Sequence, residues 1–181
     1  MSIKSPVLKY YGSKFRIGQW VIEHFPKHRH YVEPFGGAAN VLLLKEPSKL
    51  ETYNDLNGRI VNFFRVLRDE PEELIRLINL TPWARDEYEF CLCEPEAEDR
   101  IERARRLFFH LWMNYNGAYI THKGSWRRHK SGTRSVTADI KPENLFEAST
   151  RFLKIQIENR DAFKLIKEFD SPDTLFYLDP P

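Results

Sequence analysis

Tyr31-Val32-Glu33-Pro34-Phe35-Gly36-Gly37-Ala38-Ala39 decides how this chain is built. Tyr31-Val32 reads as a short buried strand. The small residues after Phe35 turn it into a helix from Ala38 to Lys45, which stops before Pro47. Leu50 to Tyr53 reads as a second strand, closing at Asn54-Asp55, and Gly58 to Asp69 as a helix with Ile60, Val61, Phe64 and Leu67 on one face. This β-α-β-α order opens an α/β sheet. Upstream, residues 14 to 25 read as a helix whose stripe is Ile17, Trp20, Val21 and Phe25, ended by Pro26.

Downstream the pattern changes. Pro71 to Asn79, Pro82 to Cys93 and Pro95 to about Tyr115 read as helices, each with proline in a first-turn position and Thr81 as a cap. No strand interrupts them, so they form a helical insertion. Asn116 to Lys141 is polar and basic, a long loop or hairpin of the kind that is often functional. The α/β pattern then returns: helix from Pro142 to Arg151, strand from Leu153 to Ile157, helix from Asp161 to Phe169, strand from Thr174 to Leu178. The reading gives an α/β unit made of residues 1–70 and 142–181, with an insertion over residues 71–141.

At 181 residues and 41% hydrophobic, the chain can bury a real core. It has no run of about 18 apolar residues, and Met1-Ser2-Ile3-Lys4 lacks a signal-peptide core. Its two cysteines, Cys91 and Cys93, are too few for a disulfide framework or a zinc site. The six histidines show no metal-ligand spacing. We therefore expect a cytoplasmic protein with no metal and no membrane contact. Net charge is only +2, but its distribution is uneven. Arg100, Arg103, Arg105, Arg106, Lys123, Arg127, Arg128, Lys130 and Arg134 face Glu102 alone between positions 100 and 134. That block reads either as a polyanion contact or as a solvated helix face and loop.

Five segments carry candidate chemistry. The small residues after Phe35 let a ligand approach backbone at a helix N-terminus, while the absence of G-x-G-x-x-G argues against NAD or FAD. Asp55 either accepts hydrogen bonds from two ribose hydroxyls or caps the next helix with Asn57. Asp161 and Phe163 suit an adenine ring, or else are a helix cap and a core residue. Lys9-Tyr10-Tyr11-Gly12-Ser13-Lys14 can cover a nucleoside and pair with a carboxylate, or Tyr10 and Tyr11 can be core. Finally, Phe176-Tyr177-Leu178 feeds into Asp179-Pro180-Pro181. A carboxylate and a stiffly held prolyl carbonyl are two acceptors for the two hydrogens of an aromatic amine, though Asp-Pro-Pro is also a good strand-to-turn sequence.

Taken in order, these segments resemble the N6-adenine DNA methyltransferases of the Dam type. The lysine-aromatic-x-Gly-x-Lys motif is matched by Lys9, Tyr10, Gly12 and Lys14. The Glu-Pro-Phe-x-Gly-x-Gly motif is matched by Glu33, Pro34, Phe35 and Gly37, with Ala39 where a second glycine is usual. The acidic motif is matched by Asp55, and the catalytic motif by Asp179, Pro180 and Pro181. The chain departs from the pattern in two places: no aromatic follows Pro181, and Asn116-Gly117-Ala118-Tyr119 replaces the usual Asn-Gly-Leu with its following arginine.

The resemblance implies a Rossmann-like methyltransferase sheet with a helical target-recognition insertion. Its cofactor would be S-adenosylmethionine, held by Tyr10, Lys14, Glu33, Phe35, Gly37, Asp55, Asp161, Phe163 and Asp179. Asp179, Pro180 and Pro181 would be catalytic. Asn116, Lys123, Arg127, Arg128, Lys130 and Arg134 would contact double-stranded DNA. The reaction would be direct transfer to N6 of a flipped adenine; nothing in the sequence marks a partner nuclease. Because the family sheet has strands beyond this motif, the expectation is an incomplete sheet with the fourth strand at its edge, low solubility and near-background transfer. A nucleic-acid-binding relative without catalysis is the alternative.

Overall fold

The computed structural model of the protein describes residues 3–92, 97–114, 126–127 and 140–181. Its elements run α1 Gly18–Glu23, β1 His30–Glu33, α2 Asn40–Leu44, β2 Leu50–Asn54, α3 Gly58–Asp69 and α4 Pro71–Leu80. Then follow α5 Arg85–Leu92, α6 Arg100–Met113, α7 Pro142–Phe152, β3 Gln156–Glu158, α8 Ala162–Phe169 and β4 Thr174–Phe176. The four strands are parallel and lie in the order β3-β2-β1-β4. Parallel strands point all their carboxyl ends one way. The order also reverses at β1, whose neighbours are β2 and β4, and a crevice opens there in sheets of this kind.

Local chemistry sets most of the boundaries. Asn57, Asp99 and Asp161 cap α3, α6 and α8 by accepting from the backbone N–H of Arg59, Glu102 and Lys164. Pro71 and Pro142 occupy the first turns of α4 and α7, where their missing N–H costs nothing. Between α3, α6 and α7 lies an aromatic core. Phe64 stacks on Phe152 at 4.5 Å and Phe63 on Phe108 at 6.2 Å. Helices α4 to α6 share this one core with the sheet, so there is no packing gap at residue 71.

Three expectations are corrected. The first helix is shorter than residues 14 to 25, and its predicted stripe does not bury as a unit. Ile17 and Trp20 are exposed, and Gly18 is the residue pressed inward, because a Cβ there would lie 2.6 Å from Leu44 Cδ1. Thr81 ends α4 by donating its hydroxyl to Leu77 O, and α5 starts only at Arg85. Strands β3 and β4 have only three residues each, shorter than the five-residue runs read from the sequence, while β4 does lie at the edge of the described sheet as expected.

Candidate active site

Four of the candidate segments sit at the carboxyl ends of the four strands. The glycine turn follows β1, Asp55 follows β2, Asp161 and Phe163 follow β3, and Asp179 follows β4. The turn is held from below. Gly36 N donates to Asn54 O at 2.8 Å, and Tyr53 hydroxyl donates to Gly37 O at 2.7 Å. A Cβ on Gly36 would fall 2.2 Å from Tyr53 Cε2, so only glycine fits. Gly37 has φ +47° and Ala39 φ +54°. Ala39 therefore adopts the left-handed conformation that a glycine would take without strain, and it stands where the related motif usually has one.

Asp55 is committed to this turn. Its Oδ2 accepts from Gly37 N and its Oδ1 from Asn57 N, both at 2.8 Å. Asn57, not Asp55, caps α3. Each carboxylate oxygen retains a second acceptor direction, and Asp55 is only half-buried, so the acid is both a brace and a possible hydroxyl acceptor. Beside it, the Tyr10 ring lies 3.6 Å from where a Gly37 Cβ would stand. Tyr10 thus covers the turn, whereas Tyr11 is 72% exposed.

Glu33 is buried to 2% exposure. Its Oε1 accepts from Tyr31 hydroxyl at 2.7 Å and from Leu42 N at 2.8 Å. Leu42 is in the first turn of α2, whose N-cap Ala39 has no capping side chain, so Glu33 supplies the cap from a distance. Burial pushes its carboxyl up to about 7, against the lowering effect of those two hydrogen bonds. A raised acid pKa means that folding disfavours the charged form. The penalty is absent below about pH 4.5, grows as pH rises, and is complete above about 7, reaching up to about 3 kcal/mol. Glu33→Gln keeps both acceptor contacts and removes the charge. It should therefore melt higher than its parent at pH 8 and alongside it near pH 4.5. Coincident melting curves at both pH values would show that the buried charge has no such cost.

Asp179, just after β4, meets Lys14 of the segment before α1. Lys14 Nζ lies 2.7 Å and 2.8 Å from the two Asp179 oxygens and donates to Gly12 O at 2.9 Å. Both side chains are about one-third exposed. Tyr177 extends the strand by donating its N–H to Val32 O at 2.9 Å. Its hydroxyl is pushed up to about 12 by burial, with Asp179 and Glu33 adding to the effect. Pro180 and Pro181 are exposed, and Phe35 is half-buried. Asp161 caps α8, while Phe163 is 70% exposed. The core reading of Phe163 is thereby excluded and its ring is free to meet a ligand.

Asn54 was missed as a site residue. Its Nδ2 donates to Pro34 O and Arg160 O, and its Oδ1 accepts from Arg160 N. One amide thus joins the loops after β1 and β3. The polar Asn54-Asp55 pair closing an apolar strand was its only sequence signal.

The basic block divides. Arg105, 7% exposed, pairs with Glu87 at 2.6 Å and Glu102 at 2.7 Å. Arg106 pairs with Glu102, and Arg100 with Asp69 and Glu70. These three arginines are thus engaged within the protein, contrary to the reading of the whole block as one polyanion contact. Arg127 is half-buried, with its N–H on Met113 O at 2.7 Å and its carbonyl accepting from Trp83 Nε1 at 3.3 Å. Asn116, Lys123, Arg128, Lys130 and Arg134 lie outside the described residues.

The chain is 30% identical over 189 aligned residues to the Type II methyltransferase M1.LlaDCHI of Lactococcus lactis subsp. cremoris. That match covers 97% of this chain and 65% of the relative. It is 36% identical over 70 residues to a DNA adenine methylase of Vibrio cholerae serotype O1, covering 38% of this chain and 24% of that protein. It is 37% identical over 70 residues to the modification methylase StsI of Streptococcus sanguinis, covering 38% and 10%. The chain thus spans less than two thirds of the length of these relatives. The profile of the D12 class of N6 adenine-specific DNA methyltransferases matches residues 10–181, and the chain belongs to that family.

Proposed function

We propose that this protein transfers a methyl group from S-adenosylmethionine to N6 of an adenine in double-stranded DNA. The observation that carries this reading is the juxtaposition of Asp179 with Lys14 beside the braced glycine turn. The turn suits the cofactor, since its backbone is braced by Asp55 on Gly37 N and Asp55 retains acceptor capacity. Tyr10, Gly37 and Asp55 would hold the nucleoside, with Asp161 and Phe163 at its adenine end. Glu33 would act through the start of α2, and Phe35 through the shape of the turn. When bound, S-adenosylmethionine supplies an electrophilic methyl group.

The protein's own part is positioning and electrostatics. Asp179 and the Pro180 carbonyl would accept the two amine hydrogens, aim the nitrogen and stabilise the positive charge it gains. Pro181 would stiffen that backbone. The adenine must leave the duplex to reach Asp179, so base flipping is part of the reading. Residues 71–141 would form the target-recognition region, with Asn116, Lys123, Arg127, Arg128, Lys130 and Arg134 on phosphates and base edges. A cytoplasmic location is part of this proposal.

Tritiated-methyl incorporation into adenine-containing duplex, by this chain and by one extended to the length of its relatives, tests the reading. N6-methyladenine as product supports it; label on cytosine, or none from either chain, overturns it. Asp55→Ala should weaken S-adenosylmethionine binding by about 1–3 kcal/mol through lost charge-assisted hydrogen bonds. Unchanged affinity by calorimetry would remove Asp55 from the site.

A further inference from the structure

The turn carrying Tyr11 is fastened at three points. Tyr10 packs over Gly37, Ser13 Oγ accepts from Asn40 Nδ2 at 2.8 Å, and Lys14 bonds both Gly12 O and Asp179. The turn closes through Ser13 N to Tyr10 O at 3.1 Å, with Gly12 at φ +76°, the conformation a glycine supplies at the third position of a type II turn. The Tyr11 side chain takes no part in this fastening, and its large ring is 72% exposed. Such a ring on a braced backbone loses little conformational freedom when it binds. The turn reaches Asp179 through Lys14, three residues after Tyr11, so the backbone that carries Tyr11 is tied to the proposed methyl-transfer site.

We propose that Tyr11 is a nucleic-acid stacking residue, its ring taking the face of a base unstacked at the target; this rests on the methyl-transfer reading above. Every base has a π-face, so the contact would add affinity for disrupted DNA without reading sequence. It would favour the opened duplex and so assist extrusion of the target adenine.

The probe is a duplex with one adenine opposite an abasic site, compared with its fully paired counterpart. The parent should prefer the abasic duplex. Tyr11→Ala and Tyr11→Leu should each lose about tenfold in affinity for it, while Tyr11→Phe stays within about twofold. No charge is removed, so the log-affinity against log-salt slope should not move. S-adenosylmethionine affinity should be the parent's in all three variants. Equal affinities for the abasic duplex across parent and variants would overturn the proposal. So would an equal loss on both duplexes with a changed salt slope or weakened cofactor binding, which would mark a general distortion of the turn. A parent that binds cofactor but shows no preference for the abasic duplex would overturn this proposal, while the methyl-transfer reading stands or falls separately on the tritiated-methyl product.

Discussion

In a chain extended to the length of its relatives, the proposed methyl transfer to adenine is expected to fall by at least about 100-fold in Asp179→Asn, the scale set by removing one preorganised group from a transition-state site. Asparagine keeps the size and one carbonyl acceptor. It loses the negative charge that would balance the cation developing on the amine, and it brings an NH₂ that competes as a donor. It also breaks the ion pair with Lys14, whose Nζ lies within 2.8 Å of both carboxylate oxygens. That pair is partly exposed, so its loss should cost little stability and the variant should melt close to its parent. Tritiated-methyl incorporation beside a thermal melt separates the two effects. A folded Asp179→Asn variant that transfers at the parent's rate would remove Asp179 from the chemistry.

The second large effect is on the fold beneath the site. Gly36→Ala should destabilise the protein by about 3 kcal/mol, the upper part of the usual range for overpacking. The added methyl would stand 2.2 Å and 2.5 Å from the Tyr53 ring and 3.1 Å from Asn54 O. Tyr53 has no room to retreat. It is fully buried, packs against Phe64 at 5.1 Å and Phe152 at 5.7 Å, and its hydroxyl holds Gly37 O. Gly37→Ala is the internal control. Its Cβ would meet only Tyr10, at an ordinary 3.6 Å, so the cost is the left-handed backbone, about 1 kcal/mol. Ala39 already bears that conformation at φ +54°. Urea unfolding of the two variants should rank Gly36→Ala well below Gly37→Ala. Equal midpoints would mean that Tyr53 shifts at no cost and that Gly36 is not the keystone of the turn.

What the sequence determined by itself was mostly local. The helices begun at Pro71 and Pro142, the helix of Gly58 to Asp69, the succession of strands along the chain and the residues at strand ends follow from periodicity, capping and turn chemistry, which act over a few residues. The edge position of β4 was also legible, through the resemblance of the motifs taken in order. Tertiary structure decided which partner each group found. Lys14 meets Asp179 across 165 residues because the tertiary fold carries the segment before α1 to the carboxyl end of β4. Glu33 became a buried brace for α2 because the turn folds back over its own strand. Adjacent Tyr10 and Tyr11 were indistinguishable by composition. Yet one covers Gly37 and the other faces solvent, because three long-range contacts fix the turn between them. Arg105 looked like part of a basic surface until α5 brought Glu87 against it. In each case the deciding contact joins residues distant in sequence, and local preference has no means of choosing between burial, pairing and exposure until the sheet order and helix packing set those distances.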